Sequence, residues 1–385
     1  NADEQIIQKT VEDEIAFGCE NLAFSPEKIS RQIDTVCRLM NLDKSLQSRK
    51  LSGGQKQRLI TASTLAMGQK IVILDEPLAN LDTAGAEMLM STLKSLAKAG
   101  YCIVVIEHRL DVVLPFVDKV FHVGGKRVRE IKDKESYLKE QSVEISDSCA
   151  VFCGGQPVFS LSDVAFSVKD RVILNGVAFD ILKGSRTVLF GENGCGKTTL
   201  LRLISRLEKP TRGVILQNIS GKFGQKSKQS KKWYKKVGVV YQNPDYQLFM
   251  PTVEKEIKFG AKSDEYADEI AEKFGVKHLY VRHPQSLSEG QKRRVSIAAV
   301  VATDPEVLIL DEPTVGQDYK GLCEMVEVLN RIHEETHNTM ITVTHDKRCA
   351  AALCDRSVWI KGGKTYKTGD KHLIDEFFTN WQDKS

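Results

Sequence analysis

Two kinds of apolar pattern alternate along this chain. Short, almost unbroken apolar runs predict buried strands, and they lie at residues 70–74, 102–106, 307–310 and 339–343. Apolar residues three or four positions apart predict amphipathic helices. One such set follows Lys197 and consists of Leu200, Leu201, Leu203, Ile204 and Leu207. The other follows the Gly53-Gly54 pair and consists of Ile60, Leu65 and Ala66. Because strands without polar alternation are typical of parallel sheets covered on both faces, the alternation predicts a three-layer α/β fold.

Length and composition narrow the class of protein. The chain has 385 residues, of which 41% are hydrophobic, and this is enough for two or three domains with ordinary cores. Its longest apolar runs are far shorter than the roughly 18 residues that cross a bilayer, so we expect a soluble protein or one that reaches a membrane through a partner. The nine cysteines form no Cys-x-x-Cys pair, and the net charge of +4 is small. These features argue against a zinc or disulfide framework and against a nucleic-acid partner.

The second half of the chain repeats the first. Four segments recur in the same order with offsets of 236 to 242 residues: TVEDEIAFG at 10–18 as TVEKEIKFG at 252–260, LSGGQKQR at 51–58 as LSEGQKRR at 287–294, LDEP at 74–77 as LDEP at 310–313, and EH at 107–108 as TH at 344–345. Matched segments in a fixed order predict a tandem duplication.

The repeat also predicts domain boundaries. We place the first unit at residues 1–143, a polar linker at 144–156 and the second unit at 157–385. The first unit has no counterpart of the second unit's residues 158–242, so it is N-terminally incomplete. Either the sequence is a piece of a longer chain or the first unit is degenerate. The former is favoured, because a parallel sheet without one of its central strands would expose strands built for burial on both faces.

A phosphate-binding motif lies in the segment that only the second unit has. Residues 191–198 (GENGCGKT) fit G-x-x-x-x-G-K-[ST], in which backbone N–H groups at a helix N-terminus cradle phosphates. The lysine of this motif reaches the β- and γ-phosphates, and the hydroxyl of the serine or threonine that follows the lysine binds Mg²⁺. Asp311 and Glu312 follow the end of a predicted strand. An Asp-Glu pair by itself is often only a helix cap, but together with the loop it predicts nucleoside triphosphate binding and hydrolysis.

In this order the motifs closely resemble those of the ABC ATPases. They comprise the phosphate loop, the glutamine-loop residue Gln242, the signatures LSGGQ at 51–55 and LSEGQ at 287–291, the pairs Asp75-Glu76 and Asp311-Glu312, the segments Leu81-Asp82 and Gln317-Asp318, and the switch histidines His108 and His345. The tandem arrangement is most similar to the fused ATPase subunits of energy-coupling-factor transporters. The resemblance implies an α/β fold of tandem P-loop NTPase (ABC nucleotide-binding) domains with helical subdomains, the first domain being N-terminally incomplete.

The resemblance also implies ATP and Mg²⁺ as cofactors and a role for each motif residue. Glu312 would polarise the attacking water as general base, His345 would bind the γ-phosphate, and Gln242 would reach the metal or the water. Thr198, Gln242 and Asp311 are the predicted metal ligands. The predicted ATP-binding residues of the second unit are Gly191, Asn193, Gly194, Cys195, Gly196, Lys197, Thr198 and Thr199.

In the resembled family, two units pair head to tail, and the signature of one unit closes on the nucleotide of the other. Internal pairing would bring Ser52, Gly54 and Gln55 to the ATP site of the second unit. The other site lacks its phosphate loop and retains Asp75, Glu76, His108, Ser288, Gly290 and Gln291. One signature departs from the family pattern, because Glu289 stands where a glycine is usual.

The function implied by the resemblance is that of an ATPase that powers a membrane importer for a vitamin, a vitamin precursor or a metal ion. Its partners would be transmembrane coupling and substrate-binding subunits, without nucleic acid, and it would lie at the cytoplasmic face of the cell membrane. The alternative is a soluble tandem ABC protein that acts on ribosomes, although such proteins usually carry a long charged linker. A non-catalytic regulatory module is disfavoured by the intact Glu312 and His345. Membrane subunits choose the transported substrate, so it leaves no mark here.

Overall fold

The computed structural model describes residues 5–78, 81, 83–141, 155–169, 171–219, 222–224, 231–317 and 319–382. The chain forms two compact units, Asn1–Val143 and Glu144–Ser385. Most of the predicted linker, residues 144–154, lies outside the described residues, as do Asp82 and Asp318. Within the part that is described, none of the helices combines the length and the apolar character needed to span a bilayer.

The first unit consists of helices and two separate pairs of strands. Its helices are α1 (Val11–Asn21), α2 (Pro26–Leu39), α3 (Gly53–Ala66), α4 (Thr83–Lys98), α5 (Leu110–Val113) and α6 (Lys134–Gln141). Its strands are β1 (Ile71–Asp75), β2 (Cys102–Ile106), β3 (Val120–Gly124) and β4 (Arg127–Ile131). Strands β1 and β2 are parallel, whereas β3 and β4 form an antiparallel hairpin. The hydroxyls of Thr10, Ser25 and Ser52 accept backbone N–H groups at the starts of α1, α2 and α3, and these caps help to set where the helices begin.

The second unit contains a mixed sheet, an antiparallel sheet and a helical part. Its strands are β5 (Pro157–Val168), β6 (Arg171–Leu182), β7 (Arg186–Phe190), β8 (Arg212–Ile219), β9 (Lys222–Gly224), β10 (Val237–Val240), β11 (Val307–Asp311), β12 (Thr339–Val343), β13 (Arg356–Lys361) and β14 (Lys364–Gly369). Its helices are α7 (Lys197–Ile204), α8 (Lys231–Tyr234), α9 (Val253–Lys258), α10 (Asp264–Lys273), α11 (Glu289–Val301), α12 (Tyr319–Thr336), α13 (Lys347–Ala352) and α14 (His372–Gln382).

The six-stranded sheet of the second unit has the order β10-β11-β12-β7-β13-β14. Its first five strands are parallel and only β14 runs antiparallel to its neighbour. Every residue of β7, β11 and β12 is buried, as expected for strands covered on both faces. The α/β fold of tandem P-loop domains is therefore confirmed.

One predicted helix is shorter than the apolar pattern suggests. Helix α7 ends at Ile204, and Leu207 lies beyond it with 43% of its surface exposed, so the assignment of Leu207 to the buried helix face was wrong. The cause is local: Arg206 has a φ of 59°, and a left-handed residue cannot continue a right-handed helix.

The two units differ in how their central strands are covered. In the second unit β7 lies between β12 and β13, whereas among the described residues of the first unit no strand lies between β2 and β3. Strand β1 buries only alternate residues, and Ile71 and Ile73 are 66% and 67% exposed. Their counterparts Val307 and Ile309 are 1% and 0% exposed. Two similar apolar strands, IVILD and VLILD, therefore differ in that the first has one exposed face.

This difference in burial predicts that an isoleucine-to-alanine substitution destabilises the protein by different amounts at the two equivalent positions. Replacing Ile309 by alanine should destabilise the second unit by about 2–5 kcal/mol, because it leaves a cavity in a packed core. Replacing Ile73 by alanine should change stability by less than about 0.5 kcal/mol, as for most surface positions. All three tryptophans, Trp233, Trp359 and Trp381, lie in the second unit. Urea unfolding followed by tryptophan fluorescence therefore reports the Ile309 variant, and circular dichroism reports both. Equal shifts of the unfolding midpoint would contradict the difference in burial.

Candidate functional site

The predicted site residues of the second unit follow the carboxyl ends of parallel strands. Strand β7 leads into the phosphate loop at residues 191–198, β10 into Gln242, β11 into Glu312 and β12 into His345. Asp311, the last residue of β11, is in register with Val343 at the end of β12. Ligands of open α/β sheets bind at this edge. The topology thus collects at one edge residues that lie up to about 150 positions apart in the sequence.

The phosphate loop needs glycine at two positions for steric reasons. Gly196 caps α7 with a φ of 102°, and a Cβ there would lie 2.5 Å from the Leu174 side chain. A Cβ on Gly191, which has a φ of 149°, would lie 2.1 Å from the carbonyl oxygen of Ile360. Larger residues are therefore excluded, and the backbone is left open toward the start of α7, where N–H groups favour an anion.

The Lys197 side chain folds back against the phosphate loop. Its Nζ donates hydrogen bonds to the carbonyl oxygens of Gly191 at 2.8 Å and Glu192 at 2.9 Å, and the residue is 6% exposed. The ammonium is thus held at the loop by weak neutral acceptors that phosphate oxygens can replace. Cys195 is buried beside it, with Sγ 3.9 Å from this ammonium. Burial raises the pKa of the Cys195 thiol, which disfavours the nucleophilic thiolate.

The remaining loop residues are accessible from solvent. Asn193, Gly194 and Thr198 are exposed and Thr199 is partly buried. Thr198 lies close enough to Asp311 for its hydroxyl to lower the pKa of that carboxyl, so the hydroxyl and the carboxylate predicted to hold Mg²⁺ are neighbours. Gln242 is also exposed at the same edge. Thr198, Gln242 and Asp311 thus lie at the same edge of the sheet, and their role as metal ligands stays a prediction.

Asp311 is suited to a bound cation. Its Oδ1 is buried and has no hydrogen-bond partner among the described residues. Burial, and then the charge of Glu312, raises the pKa of Asp311 well above its usual range. A buried carboxylate with an unsatisfied oxygen is costly unless a cation compensates it. Thr198, Asp311 and Gln242 supply side-chain oxygens of the kind that Mg²⁺ prefers, and when bound the metal would neutralise charge on the nucleotide phosphates.

Glu312 and His345 form a close pair at the same edge. His345 Nε2 lies 3.3 Å from Glu312 Oε1, and the backbone N–H of His345 donates to Glu312 Oε2 at 3.2 Å. Burial raises the pKa of Glu312 to about 7, which is close to the value that best suits a general base at neutral pH. Glu312 also has a φ of 52°. A left-handed backbone is uncommon for a residue of this type and clusters at functional sites.

The first unit repeats this pair in a different environment. Glu76 has a φ of 46°, and its Oε1 lies 3.2 Å from Nε2 of His108. The hydrogen bond from His108 lowers the pKa of Glu76, whereas burial raises that of Glu312. The glutamate side chains are 41% and 6% exposed, respectively. Asp75 ends β1 and is exposed, unlike Asp311. The two sites therefore share backbone geometry but differ in electrostatics.

Each signature begins a helix with the same reciprocal cap. Ser52 Oγ accepts the N–H of Gln55 and Gln55 Oε1 accepts the N–H of Ser52; Ser288 and Gln291 repeat both bonds. Glu289, the departure from the usual glycine, lies 3.4 Å from Lys292, which balances its charge. A Cβ on Gly54 would lie 3.1 Å from Leu81, and one on Gly290 would lie 2.9 Å from Gln317. The roles of Ser52, Gly54 and Gln55, and of Ser288, Gly290 and Gln291, at nucleotide sites stay predictions.

Two buried glutamates were missed in the sequence, although their repeat could have revealed them. Glu256 Oε2 accepts the N–H groups of Phe249 at 2.9 Å and Met250 at 2.7 Å. In the first unit Glu14 Oε2 accepts those of Ile7 at 2.9 Å and Gln8 at 2.6 Å. Both glutamates occupy the fifth position of the repeated TVEDEIAFG and TVEKEIKFG segments. They brace the backbone of the loop that follows the glutamine loop.

Comparisons with known proteins identify the family of this chain. A family model described as ABC transporter matches residues 2–79 and 174–315. YkoD of Bacillus subtilis, named as a candidate HMP/thiamine import ATP-binding protein, is 33% identical over 92% of this chain and 72% of its own length. A Methanosarcina mazei protein named as a candidate ABC transporter ATP-binding protein is 31% identical over 99% of this chain and 79% of its own.

Solved structures show the same fold. CbiO1 of Clostridium perfringens, described as part of the ABC transporter complex CbiONQ, matches with a TM-score of 0.50 and 31% identity, over 58% of this chain and 91% of its own. The archaeal ribosome recycling factor aABCE1 matches with a TM-score of 0.67 over 97% of this chain and 73% of its own. Its identity is 21%, so this second match bears on the fold alone.

Proposed function

The chain belongs to the ABC transporter family and is an ATP-binding, ATP-hydrolysing protein, and on that premise we propose that it powers a membrane importer of the energy-coupling-factor type. The cargo would be a vitamin, a vitamin precursor or a metal ion. The motor would lie at the cytoplasmic face of the membrane, bound to transmembrane coupling and substrate-binding subunits. Similarity to YkoD, named for HMP/thiamine import, and to CbiO1, described within a transporter complex, supports this direction.

The observation that carries the proposal is a duplicated, exposed apolar loop. Glu256 accepts the backbone N–H of Phe249, whose side chain is 66% exposed. Glu14 likewise accepts the backbone N–H of Ile7, whose side chain is 69% exposed. In each unit a phenylalanine ten residues later, Phe259 or Phe17, is also exposed. The Phe249 and Phe259 rings are in edge contact at 5.4 Å. Apolar side chains held rigidly in water mark surfaces that bind a partner.

The second unit also has a cleft beside the residue that precedes Gln242. It has a volume of about 260 Å³ and is lined by Arg202, Leu207, Glu208, Tyr241 and Tyr246. Tyr246 is 80% exposed, and Tyr241 directly precedes Gln242 of the nucleotide site. A partner seated here would contact the loop that carries Gln242. Because the exposed loop occurs once in each unit, it fits a partner that offers two similar apolar segments, as a pair of membrane-subunit loops would.

We expect a single aspartate in this loop to separate partner binding from catalysis. Replacing Phe249 by aspartate should reduce capture of the membrane proteins encoded beside its gene at least tenfold, because burying this ring contributes about 2–3 kcal/mol. ATPase activity of the isolated chain should stay at the parent level. The measurement is co-purification from detergent-solubilised membranes, with Val123→Asp as the control, since Val123 is 74% exposed on the β3–β4 hairpin.

The same preparation tests the ribosome-acting alternative. Co-sedimentation of the chain with ribosomes, without capture of a membrane protein, would contradict the importer proposal. Equal capture by the Phe249→Asp and Val123→Asp variants would contradict the role of the exposed loop.

A further inference from the structure

An arginine behind the second signature holds the backbone of the glutamine loop, residues 241–247. Arg293 lies on α11, five positions after Ser288, and is 2% exposed. Its Nη1 donates to the carbonyl oxygen of Tyr241 at 2.7 Å, and its Nη2 donates to that of Gln242. The planar guanidinium thus spans two consecutive carbonyls of the loop. Two parallel hydrogen bonds from one planar guanidinium fix both the orientation and the position of the two peptide groups.

The arrangement is costly as a purely structural feature. Burying a charged guanidinium against neutral carbonyls loses hydration that these acceptors only partly replace. The Nε of Arg293 is buried and has no hydrogen-bond partner among the described residues. The charges of Glu312 and Asp311 offset part of the desolvation that lowers the pKa of Arg293. Arg293 therefore contacts the glutamine loop and is within electrostatic range of Glu312 and Asp311.

Other contacts hold the rest of the glutamine loop. Lys292 Nζ lies 2.9 Å from Asp245 Oδ1. The Gln247 side chain accepts the N–H of Tyr241 at 2.8 Å and donates to the carbonyl oxygen of Val239 at 2.7 Å. The guanidinium adds its two bonds to the carbonyl oxygens of Tyr241 and Gln242 to these anchors. Any change in the orientation of these peptide groups moves the Gln242 side chain directly.

The first unit shows that the signature alone does not require this arginine. Helix α3 follows the same cap and carries Gln57 at the position equivalent to Arg293. A neutral amide cannot supply two parallel charged donors to consecutive carbonyls. The brace is therefore a property of the second unit, whose site contains the phosphate loop.

We propose that Arg293 is a positioning residue of the ATPase reaction: by holding the Tyr241 and Gln242 carbonyls, it directs the Gln242 side chain toward the metal and water positions beside Asp311 and Glu312. It acts through Gln242 and does not touch the nucleotide. The same bonds tie the glutamine loop to the helix that begins at the second signature, so the loop and the signature helix move together. This inference concerns the ATPase itself and does not depend on the importer proposal.

The test compares Arg293→Gln, which installs the residue of the first unit, with Arg293→Lys and Arg186→Gln. Arg186 is a matched control because it is also buried, at 5% exposure, and pairs with Asp355 away from the glutamine loop. The first measurement is amide hydrogen exchange of residues 241–248 in the nucleotide-free chain. Arg293→Gln should accelerate this exchange at least tenfold. Arg186→Gln should lower the unfolding temperature without a selective effect on these amides.

The second measurement separates positioning from folding by kinetics. Arg293→Gln should lower kcat about ten- to a hundredfold and raise the Mg²⁺ concentration needed for half-maximal activity. The dissociation constant for ATP should stay within about twofold of the parent, because the phosphate loop is untouched. Arg293→Lys keeps the charge without the planar guanidinium, so both effects should be intermediate.

Two results would overturn the proposal. One is parent-like exchange and Mg²⁺ dependence in Arg293→Gln. The other is a loss of activity that follows unfolding temperature alike in Arg293→Gln and Arg186→Gln. If Arg293→Gln fails to fold, parent-like exchange and Mg²⁺ dependence in Arg293→Lys would have the same force.

Discussion

Replacing Glu312 by glutamine is expected to lower the rate of ATP hydrolysis about a thousandfold and to leave ATP bound. Glutamine keeps the size of the side chain and can still accept the backbone N–H of His345, but it cannot take a proton from water. General-base catalysis contributes about 10²- to 10⁴-fold, and a thousandfold loss corresponds to about 4 kcal/mol in the barrier. The raised pKa of Glu312 and its contact with His345 support this role.

The measurement is single-turnover hydrolysis on the 385-residue chain, with ATP binding titrated separately. Glu327→Gln serves as a control, because Glu327 is exposed and pairs only at the surface with Arg331. Loss of ATP binding in parallel with turnover would show that Glu312 is needed for the architecture of the site, and the general-base assignment would fail.

Replacing Lys197 by alanine should raise the dissociation constant for ATP about a hundredfold or more. The ammonium is buried at the loop and is held there by two carbonyls, so in the complex it would exchange these for phosphate oxygens of opposite charge. Removing one partner of a buried charged pair costs about 2–5 kcal/mol, and each 1.4 kcal/mol is a factor of ten in affinity. The loop would keep its shape, because Gly191 and Gly196 determine it.

Displacement of a fluorescent nucleotide by ATP measures this effect without turnover. Lys262→Ala is the control, since Lys262 pairs with Asp304 at the surface. The Lys197→Ala variant should lose ATP binding, whereas the Glu312→Gln variant should lose only hydrolysis. Similar ATP affinities for the Lys197→Ala and Lys262→Ala chains would remove Lys197 from the phosphate site.

The different burial of Glu76 and Glu312 explains why the residues next to each glutamate do not predict its pKa. Asp75-Glu76 and Asp311-Glu312 are identical pairs that follow similar strands, and both glutamates adopt a left-handed backbone. Yet the pKa of Glu76 is lowered and that of Glu312 is raised. The difference comes from burial, which depends on what packs over each pair and not on the pair itself.

The sequence by itself determined the elements and the chemistry of the motifs. Strand and helix periods depend on neighbours a few positions apart, and a phosphate loop is a continuous segment, so residues 191–198 and the strand before Asp311 could be predicted directly. Comparison of the chain with itself revealed the internal repeat, which predicts two similar units in tandem. Even here a local event, the left-handed Arg206, ended α7 earlier than its apolar pattern indicated.

Only the tertiary structure decided which of these residues meet and in what environment. The parallel sheet brings Thr198 to Asp311 and Glu312 to His345, and packing places Arg293 against the carbonyls of the glutamine loop. It also leaves Ile73 exposed while its repeat, Ile309, is buried. The physical reason is that burial, desolvation and hydrogen bonding between distant segments follow from topology, whereas local periodicity carries information about one element at a time.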